Sequence, residues 1–221
     1  MRLLSRFLAG LLLLVPLAAA AGNAPPYDEG FDYQRIMPAP NLPTNAPPGK
    51  IQVAEFFWYD CPHCAHVEPE LERWRASDLP KNAEFVRIPA VLGPRWAFMA
   101  HVYYAAKLLG VAERMTPLIF HAIHDQNRYL DSMQAMTNFF AAHGVAGDRF
   151  RAAMESLEVD TQVREASLRT QQYGVQGVPT LVIDGRYRVT ADMTGSYARM
   201  FKVAAWLTDR LAQERTGTNV H

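Results

Sequence analysis

The chain has 221 residues, 49% hydrophobic and 20% charged, a composition typical of a globular protein and not of a disordered, collagen-like or coiled-coil chain. Its 22 basic and 22 acidic residues cancel, so no basic surplus indicates a nucleic-acid-binding or membrane-surface protein. Only two cysteines are present, which excludes a scaffold held together by several disulfides.

The amino terminus predicts a secretory signal peptide over residues 1–22. Arg2 and Arg6 precede an apolar run, residues 7–21, that ends in small side chains. A membrane anchor is the alternative, but about 15 apolar residues interrupted by Pro16 fall short of the roughly 20 that a spanning helix needs. Removal of the leader leaves 20 basic against 22 acidic residues. The mature chain is therefore expected outside the cytoplasm, where disulfides persist.

The first half of the mature chain predicts an extended arm followed by alternating strands and a helix. Residues 24–50 are rich in proline and predict the arm, with a short edge strand within 31–36. Residues 51–59 are β-branched and aromatic with one charge, which predicts a buried strand. A helix over 64–76 and a second strand over 84–88 follow.

The second half predicts helices first and a hairpin afterwards. Residues 95–170 carry helical periodicity, including a helix that begins after Ser132 and ends at Gly144. Two further helices are predicted over 148–157 and 161–173.

Strands over 180–183 and 187–189 flank the turn residues Asp184 and Gly185, which predicts a hairpin. Ser196 begins the last helix. This order of elements predicts an α/β core that is interrupted by a helical insertion.

The chemistry of the chain lies in Cys61-Pro62-His63-Cys64, where a predicted strand gives way to a helix. In a first helical turn the two sulfurs can reach disulfide geometry. The helix N-terminus stabilises a thiolate on Cys61, which makes Cys61 the expected nucleophile and Cys64 the resolving thiol. His63 adds positive charge and hydrogen bonds that lower the pKa of Cys61 and make the disulfide more oxidising.

Other uses of the two cysteines fit less well. A purely structural disulfide would close a very short loop and stabilise the fold little. A haem attachment site needs histidine directly after the second cysteine, but Ala65 stands before His66. A metal site built from Cys61, Cys64 and His66 lacks a second cysteine pair. The spacing therefore favours a redox-active dithiol without a metal.

Two residues outside the motif carry related signals. Strand alternation places Glu55 on an apolar face, where it either pairs with a cation such as Arg87 or acts as a buried acid that moves protons during thiol exchange; both can hold. Pro179 opens a predicted strand, which indicates either a strand-entry proline or a cis peptide bond.

Taken together, Glu55-Phe56-Phe57, Cys61-Pro62-His63-Cys64 and Gly177-Val178-Pro179-Thr180 resemble the DsbA-type periplasmic disulfide oxidoreductases of the thioredoxin superfamily. The resemblance implies a thioredoxin fold with an inserted helical domain. Its expected divisions are a signal peptide over 1–22, a first thioredoxin part over 23–91, the insertion over 92–165 and a second thioredoxin part over 166–221.

The resemblance also assigns roles around the motif. It implies that Pro179 is cis and faces the disulfide, and that the backbone of Val178 pairs with a bound substrate chain as an added strand. It implies that Glu55 is the buried acid under the motif. The family usually has a lysine near that acid, and Arg87 is the nearest match in this chain. An arginine cannot lose its proton in a relay. Asp60 beside Cys61 is expected to oppose a very low thiolate pKa.

The function implied is that of an oxidase donating its disulfide to unfolded, cysteine-containing exported polypeptides in the periplasm. Reoxidation by a DsbB-like inner-membrane quinone reductase, a monomeric state and no cofactor are expected. The alternatives are a disulfide isomerase or reductase, and a secreted binding module or chaperone. Substrates of this kind need a shallow apolar groove, for which Trp96, Phe98 and Met99 are lining candidates if they are not core residues.

Overall fold

The computed structural model describes residues 26–40 and 42–217, and the predicted signal peptide lies outside them. A five-stranded sheet with the order β1-β5-β4-β2-β3 forms its centre. Only β2 and β3 are parallel, and every other neighbouring pair is antiparallel. The strands are β1 (Gln34–Arg35), β2 (Ile51–Phe57), β3 (Ala83–Pro89), β4 (Thr180–Ile183) and β5 (Tyr187–Thr190).

Eight α-helices accompany the sheet within the described residues. They are α1 (Pro62–Ser77), α2 (Pro94–Leu108), α3 (Ala112–Phe120), α4 (Met133–Ala142), α5 (Gly147–Met154), α6 (Leu157–Gln172), α7 (Ala191–Thr194) and α8 (Tyr197–Thr216). A π-helical turn, His121–Asp125, continues α3. None of these helices is long and apolar enough to cross a bilayer.

Serine caps place several of the helix starts. Ser132 and Ser196 accept hydrogen bonds from the backbone N–H three residues on, which confirms the predicted starts of α4 and α8. Ser156 does the same for α6, so that helix begins at Leu157, earlier than the expected 161. The predicted hairpin is also present, because Asp184 and Gly185 both adopt the positive φ that its tight turn requires.

Strand β2 is buried along its whole length because the sheet is covered on both faces. One hydrophobic core joins the carboxyl end of β2 to the helices of the insertion, and a second joins its amino end to α1 and α8. Met99 belongs to the first core with 1% exposure, so it is not a groove residue. Residue 165 lies inside α6, and the proposed domain limits remain a prediction.

Candidate active site

The redox motif lies where β2 turns into α1. The strand ends at Phe57, and a turn over residues 58–61 is closed by the backbone N–H of Cys61, which donates to the carbonyl of Trp58 over 3.0 Å. Pro62 occupies the first helical turn, where its missing N–H costs nothing. Cys61 is therefore the N-cap of α1, and Cys64 is the third residue of the helix, within its first turn.

The two thiols differ in access. Both are free in the structure; Cys61 is 8% exposed and Cys64 is completely buried. The Sγ of Cys61 donates to the carbonyl oxygen of Val178 over 3.3 Å. The peptide bond between Val178 and Pro179 is cis, as the resemblance implied. An incoming thiol can thus reach Cys61, beside the backbone of Val178, but not Cys64.

The surroundings of the two sulfurs separate their acidities. The hydrogen bond from the Cys64 thiol is the main cause that lowers the pKa of Cys61 to about 6, with backbone N–H groups and the charge of His63 adding to it and burial opposing it. Burial raises the pKa of Cys64 well above its ordinary value. Between about pH 6 and neutrality the reduced site therefore holds one thiolate, on Cys61.

A titration of the reduced protein should show this thiolate directly. We expect its ultraviolet absorbance to rise with a midpoint near pH 6, whereas the oxidised protein should show no such step. Because the folded-state pKa of Cys61 is below the value of about 8.5 for an unfolded chain, the reduced fold should lose stability as the pH falls from about 8.5 through 6. A midpoint at or above 8.5 would contradict the assigned role of the helix N-terminus.

A buried charge cluster lies beneath the motif. Sheet register pairs Glu55 with Arg87, whose Nε donates to the Glu55 carboxylate over 2.9 Å. The same guanidinium also donates to Glu68 over 2.9 Å and to Glu72 over 2.8 Å, both on α1. The sequence predicted the first contact but not the other two. Their only signal was the spacing of two carboxylates by one helical turn.

Three carboxylates contact the Arg87 guanidinium, and Glu72 has a second cation in Arg75, at 2.7 Å. The two buried carboxylates, Glu55 and Glu68, therefore do not both ionise easily. Burial raises the pKa of Glu55, while Arg87 opposes the rise. Burial likewise raises the pKa of Glu68 to about 7; Arg87 opposes this and the charge of Glu55 adds to it. The site therefore holds an acid close to half-protonation near neutral pH, within the same α1 helix as both thiols.

Asp60 is paired with a cation that the sequence did not predict. Its Oδ2 lies 2.9 Å from Nε of Arg95, in ion-pair contact without hydrogen-bond alignment. The Arg95 guanidinium also lies over the ring of Trp58, which stacks on Trp96 with ring centroids 4.1 Å apart. Arg95 offsets the Asp60 charge, and the pKa of Cys61 is low although Asp60 is adjacent.

The helical insertion also holds the turn that precedes Cys61. Nε2 of His124, in the π-helical turn, lies 2.7 Å from the carbonyl oxygen of Tyr59. The Tyr59 hydroxyl is 2.9 Å from Oγ1 of Thr116 on α3. Since Tyr59 is 1% exposed, its buried carbonyl needs a hydrogen-bond donor from the protein, and His124 supplies it. No sequence pattern marked His124 as part of the site.

Substitution of His124 tests this contact. His124→Leu should leave the Tyr59 carbonyl unsatisfied and lower the free energy of unfolding by about 1–3 kcal/mol. Because the turn also positions the N-terminus of α1, the thiolate midpoint of Cys61 should rise. His124→Gln, which restores a donor, should recover both values. Equal midpoints in the wild type and in His124→Leu would show that the contact stabilises the fold only.

A cavity of about 440 Å³ opens beside the motif, lined by His63, Val178, Pro179 and Tyr197 among others. Neither Trp96 nor Phe98 lines it, and both pack against the core, which is the alternative that the sequence left open. Trp96 stacks on Trp58, and Phe98 packs against the core of the insertion. The described residues contain no cluster of three histidine, cysteine or acidic side chains that could hold a metal ion.

The fold and the dithiol together define a thioredoxin-fold thiol–disulfide oxidoreductase. Residues 52–204 match the DSBA-like thioredoxin domain. The chain is 35% identical to the thiol:disulfide interchange protein DsbA of Burkholderia cepacia, over 97% of this chain and 99% of that protein. It is 34% identical to DsbA of Azotobacter vinelandii, over 97% of both chains.

Solved structures agree with these relatives. The crystal structure of Pseudomonas aeruginosa DsbA has a TM-score of 0.78 and 32% identity, covering 86% of this chain and 96% of that one. The DsbA of Xylella fastidiosa has a TM-score of 0.74 and 35% identity, covering 84% and 96%. The chain belongs to the DsbA-like family, and it catalyses thiol–disulfide exchange.

Proposed function

We propose that this oxidoreductase works as an oxidase that donates a Cys61–Cys64 disulfide to unfolded, cysteine-containing polypeptides newly exported to the periplasm. The observation that carries the proposal is the lowered pKa of Cys61 at the start of α1. A stabilised thiolate favours the reduced enzyme, so the oxidised enzyme passes its disulfide on.

The exchange proceeds in two balanced steps. A substrate thiolate attacks Sγ of Cys61, the enzyme S–S bond breaks, and Cys64 leaves and takes up a proton. A second substrate thiolate then attacks the substrate sulfur of the mixed disulfide and releases Cys61 as a thiolate. The substrate loses two electrons and gains a disulfide, and the enzyme disulfide is reduced to the Cys61 thiolate and the Cys64 thiol.

The remaining site residues have supporting roles in this proposal. Pro62 begins α1, and His63 adds positive charge near the Cys61 thiolate. Val178 offers its backbone to the substrate as an added strand, next to cis-Pro179. Burial is the main cause that raises the pKa of Cys64, and the charge of Glu55 adds to it. This electrostatic coupling supports a role for the Glu55 carboxyl in the proton uptake of that thiol.

The cellular setting is proposed from the sequence and the relatives. The leader pattern over residues 1–22 and the DsbA relatives support export to the periplasm. A monomer that is reoxidised by a DsbB-like inner-membrane quinone reductase fits this setting. The proposed mature chain comprises the thioredoxin parts 23–91 and 166–221 with the insertion over 92–165.

Redox equilibration against glutathione tests the proposal. A potential near about −120 mV is expected for a protein that donates disulfides, whereas about −270 mV would indicate a reductase. Oxidation of a reduced peptide that carries two cysteines completes the test. A protein that binds the peptide but leaves its thiols reduced would be a binding module.

A further inference from the structure

A second cavity continues the one beside the motif. It has a volume of about 580 Å³ and lies between residues 36–40 and the end of α6. Its size is within the roughly 300–1,000 Å³ typical of ligand-binding clefts. Four residues line both cavities: Gln34, Gly174, Gln176 and Arg188. The second cavity therefore adjoins the first, between the redox motif and the N-terminal arm, and it is named the arm cleft.

The arm cleft is rich in side-chain amides. Besides Gln34 and Gln176, it is lined by Gln171 and Gln172. Among the described residues, Gln171, Gln172 and Gln176 have no side-chain hydrogen-bond partner within the protein, and all three are exposed. An amide both donates and accepts, as a polypeptide backbone requires of its partners. These side chains suit an extended main chain without regard to its sequence.

The charged residues that line the arm cleft are all basic. None of the described residues that line it is an aspartate or a glutamate. Its two cations are Arg35, which is paired with Glu29 over 3.1 Å, and Arg188.

Within the part of the chain that the structure describes, Arg188 has only neutral hydrogen-bond partners. Its guanidinium donates to the carbonyl oxygens of Tyr173, over 3.0 Å, and Gly174, and to the side-chain oxygen of Gln34. It is half-buried at the junction of the two cavities. A positive charge without a carboxylate partner, partly shielded from water, attracts an anionic group more strongly than an exposed one does.

We propose that the arm cleft binds an extended segment of the substrate polypeptide, and that Arg188 selects segments that carry an acidic side chain a few residues from the reacting cysteine. This inference rests on the proposed function and adds a charge preference to it. The amides hold the main chain, and the guanidinium pairs with the carboxylate. Electrostatic complementarity of this kind acts on the rate of encounter and on the choice of partner.

Peptide substrates test the preference. Each peptide carries two cysteines and a single variable residue, Glu, Gln or Lys, placed two to five positions to either side of the reacting cysteine. The measured quantity is kcat/KM for reduction of the enzyme disulfide at low salt. When the variable residue lies on one particular side of the cysteine, the Glu peptide should react about two- to fivefold faster than the Gln peptide, and the Lys peptide should be slowest. On the other side, the three peptides should react at similar rates. The difference should shrink as salt is added.

Variants assign the preference to Arg188. Arg188→Gln should abolish the ratio between the Glu and Lys peptides, and Arg188→Lys should retain most of it. Arg186→Gln is the matched control, because Arg186 lies on the same hairpin, pairs with Glu214 and does not line the cleft. It should leave the ratio unchanged. If Arg188 only ties the arm to the sheet, Arg188→Gln would lower the melting temperature but keep the ratio.

The outcomes separate this inference from the proposed function. A wild-type enzyme that oxidises every peptide at one rate, whatever the charge, overturns the acidic preference and leaves the oxidase intact. The same holds for a preference that survives in Arg188→Gln. A wild-type enzyme that oxidises no peptide overturns the proposed function itself. Because the charge series is read on the wild type first, the test does not depend on the folding of any variant.

Discussion

Cys61→Ser should reduce the oxidation of peptide dithiols to the uncatalysed rate, because the serine hydroxyl forms no disulfide and Cys64 is completely buried. The measurement is the rate of peptide oxidation under glutathione buffer. Cys64→Ala is the informative companion, since it keeps the accessible sulfur but removes the resolving one. It should form a mixed disulfide with a cysteine peptide that persists on a non-reducing gel.

The two variants together give an unambiguous reading. If Cys61→Ser still oxidised thiols, or if Cys64→Ala formed no adduct, the assignment of nucleophile and resolving thiol would be wrong. Melting temperatures close to that of the reduced wild type would show that the loss is chemical. Serine and alanine are similar to or slightly smaller than cysteine, so neither substitution is expected to cause a major change in packing.

Arg87→Met should lower the free energy of unfolding by about 3–5 kcal/mol, because it leaves buried carboxylates without their cation. Glu55 and Glu68 are 2% and 6% exposed, so water cannot replace the guanidinium. Denaturant unfolding at several pH values measures the effect. Arg73→Met, an exposed arginine of α1 that donates only to a backbone carbonyl, is the control and should change stability by less than about 0.5 kcal/mol.

The same variant has a predictable pH dependence. Without Arg87 the pKa values of the buried carboxyls rise further in the folded state, so the folded variant binds more protons than its unfolded chain. Its deficit against the wild type should therefore be smallest near pH 4.5 and grow as the pH rises. A deficit that stayed constant with pH would indicate that the loss comes from packing of the arginine side chain and not from its charge.

The local features of the fold could be predicted from the sequence, since each depends on residues close together in the chain. The strand that leads into the motif, the serine caps and the hairpin turn at Asp184 all follow from such patterns. The contact of Glu55 with Arg87 could also be predicted, because the two residues lie in strands that were expected to be neighbours.

The contacts made by the insertion could not be predicted. Arg95 on α2, Thr116 on α3 and His124 in the π-helical turn that continues α3 all reach the turn before Cys61. Nothing in their sequence neighbours distinguishes them from surface or core residues. Met99 illustrates the same limit in reverse, because helical periodicity does not reveal whether an apolar face meets the core or a groove. The role of Glu68 could not be predicted either, because it depends on the position of α1 relative to Arg87 on β3.

The complete burial of Cys64 determines which enzyme sulfur a substrate thiol attacks. Every outside thiol meets the same sulfur atom, so each polypeptide becomes attached at Cys61, alongside the backbone of Val178. Cys64 reacts only within the enzyme. If the attached polypeptide does not supply a second thiol, Cys64 attacks Sγ of Cys61 and releases that polypeptide. A polypeptide with a second available thiol is therefore released with a disulfide, whereas a polypeptide without one is released with its thiol unchanged.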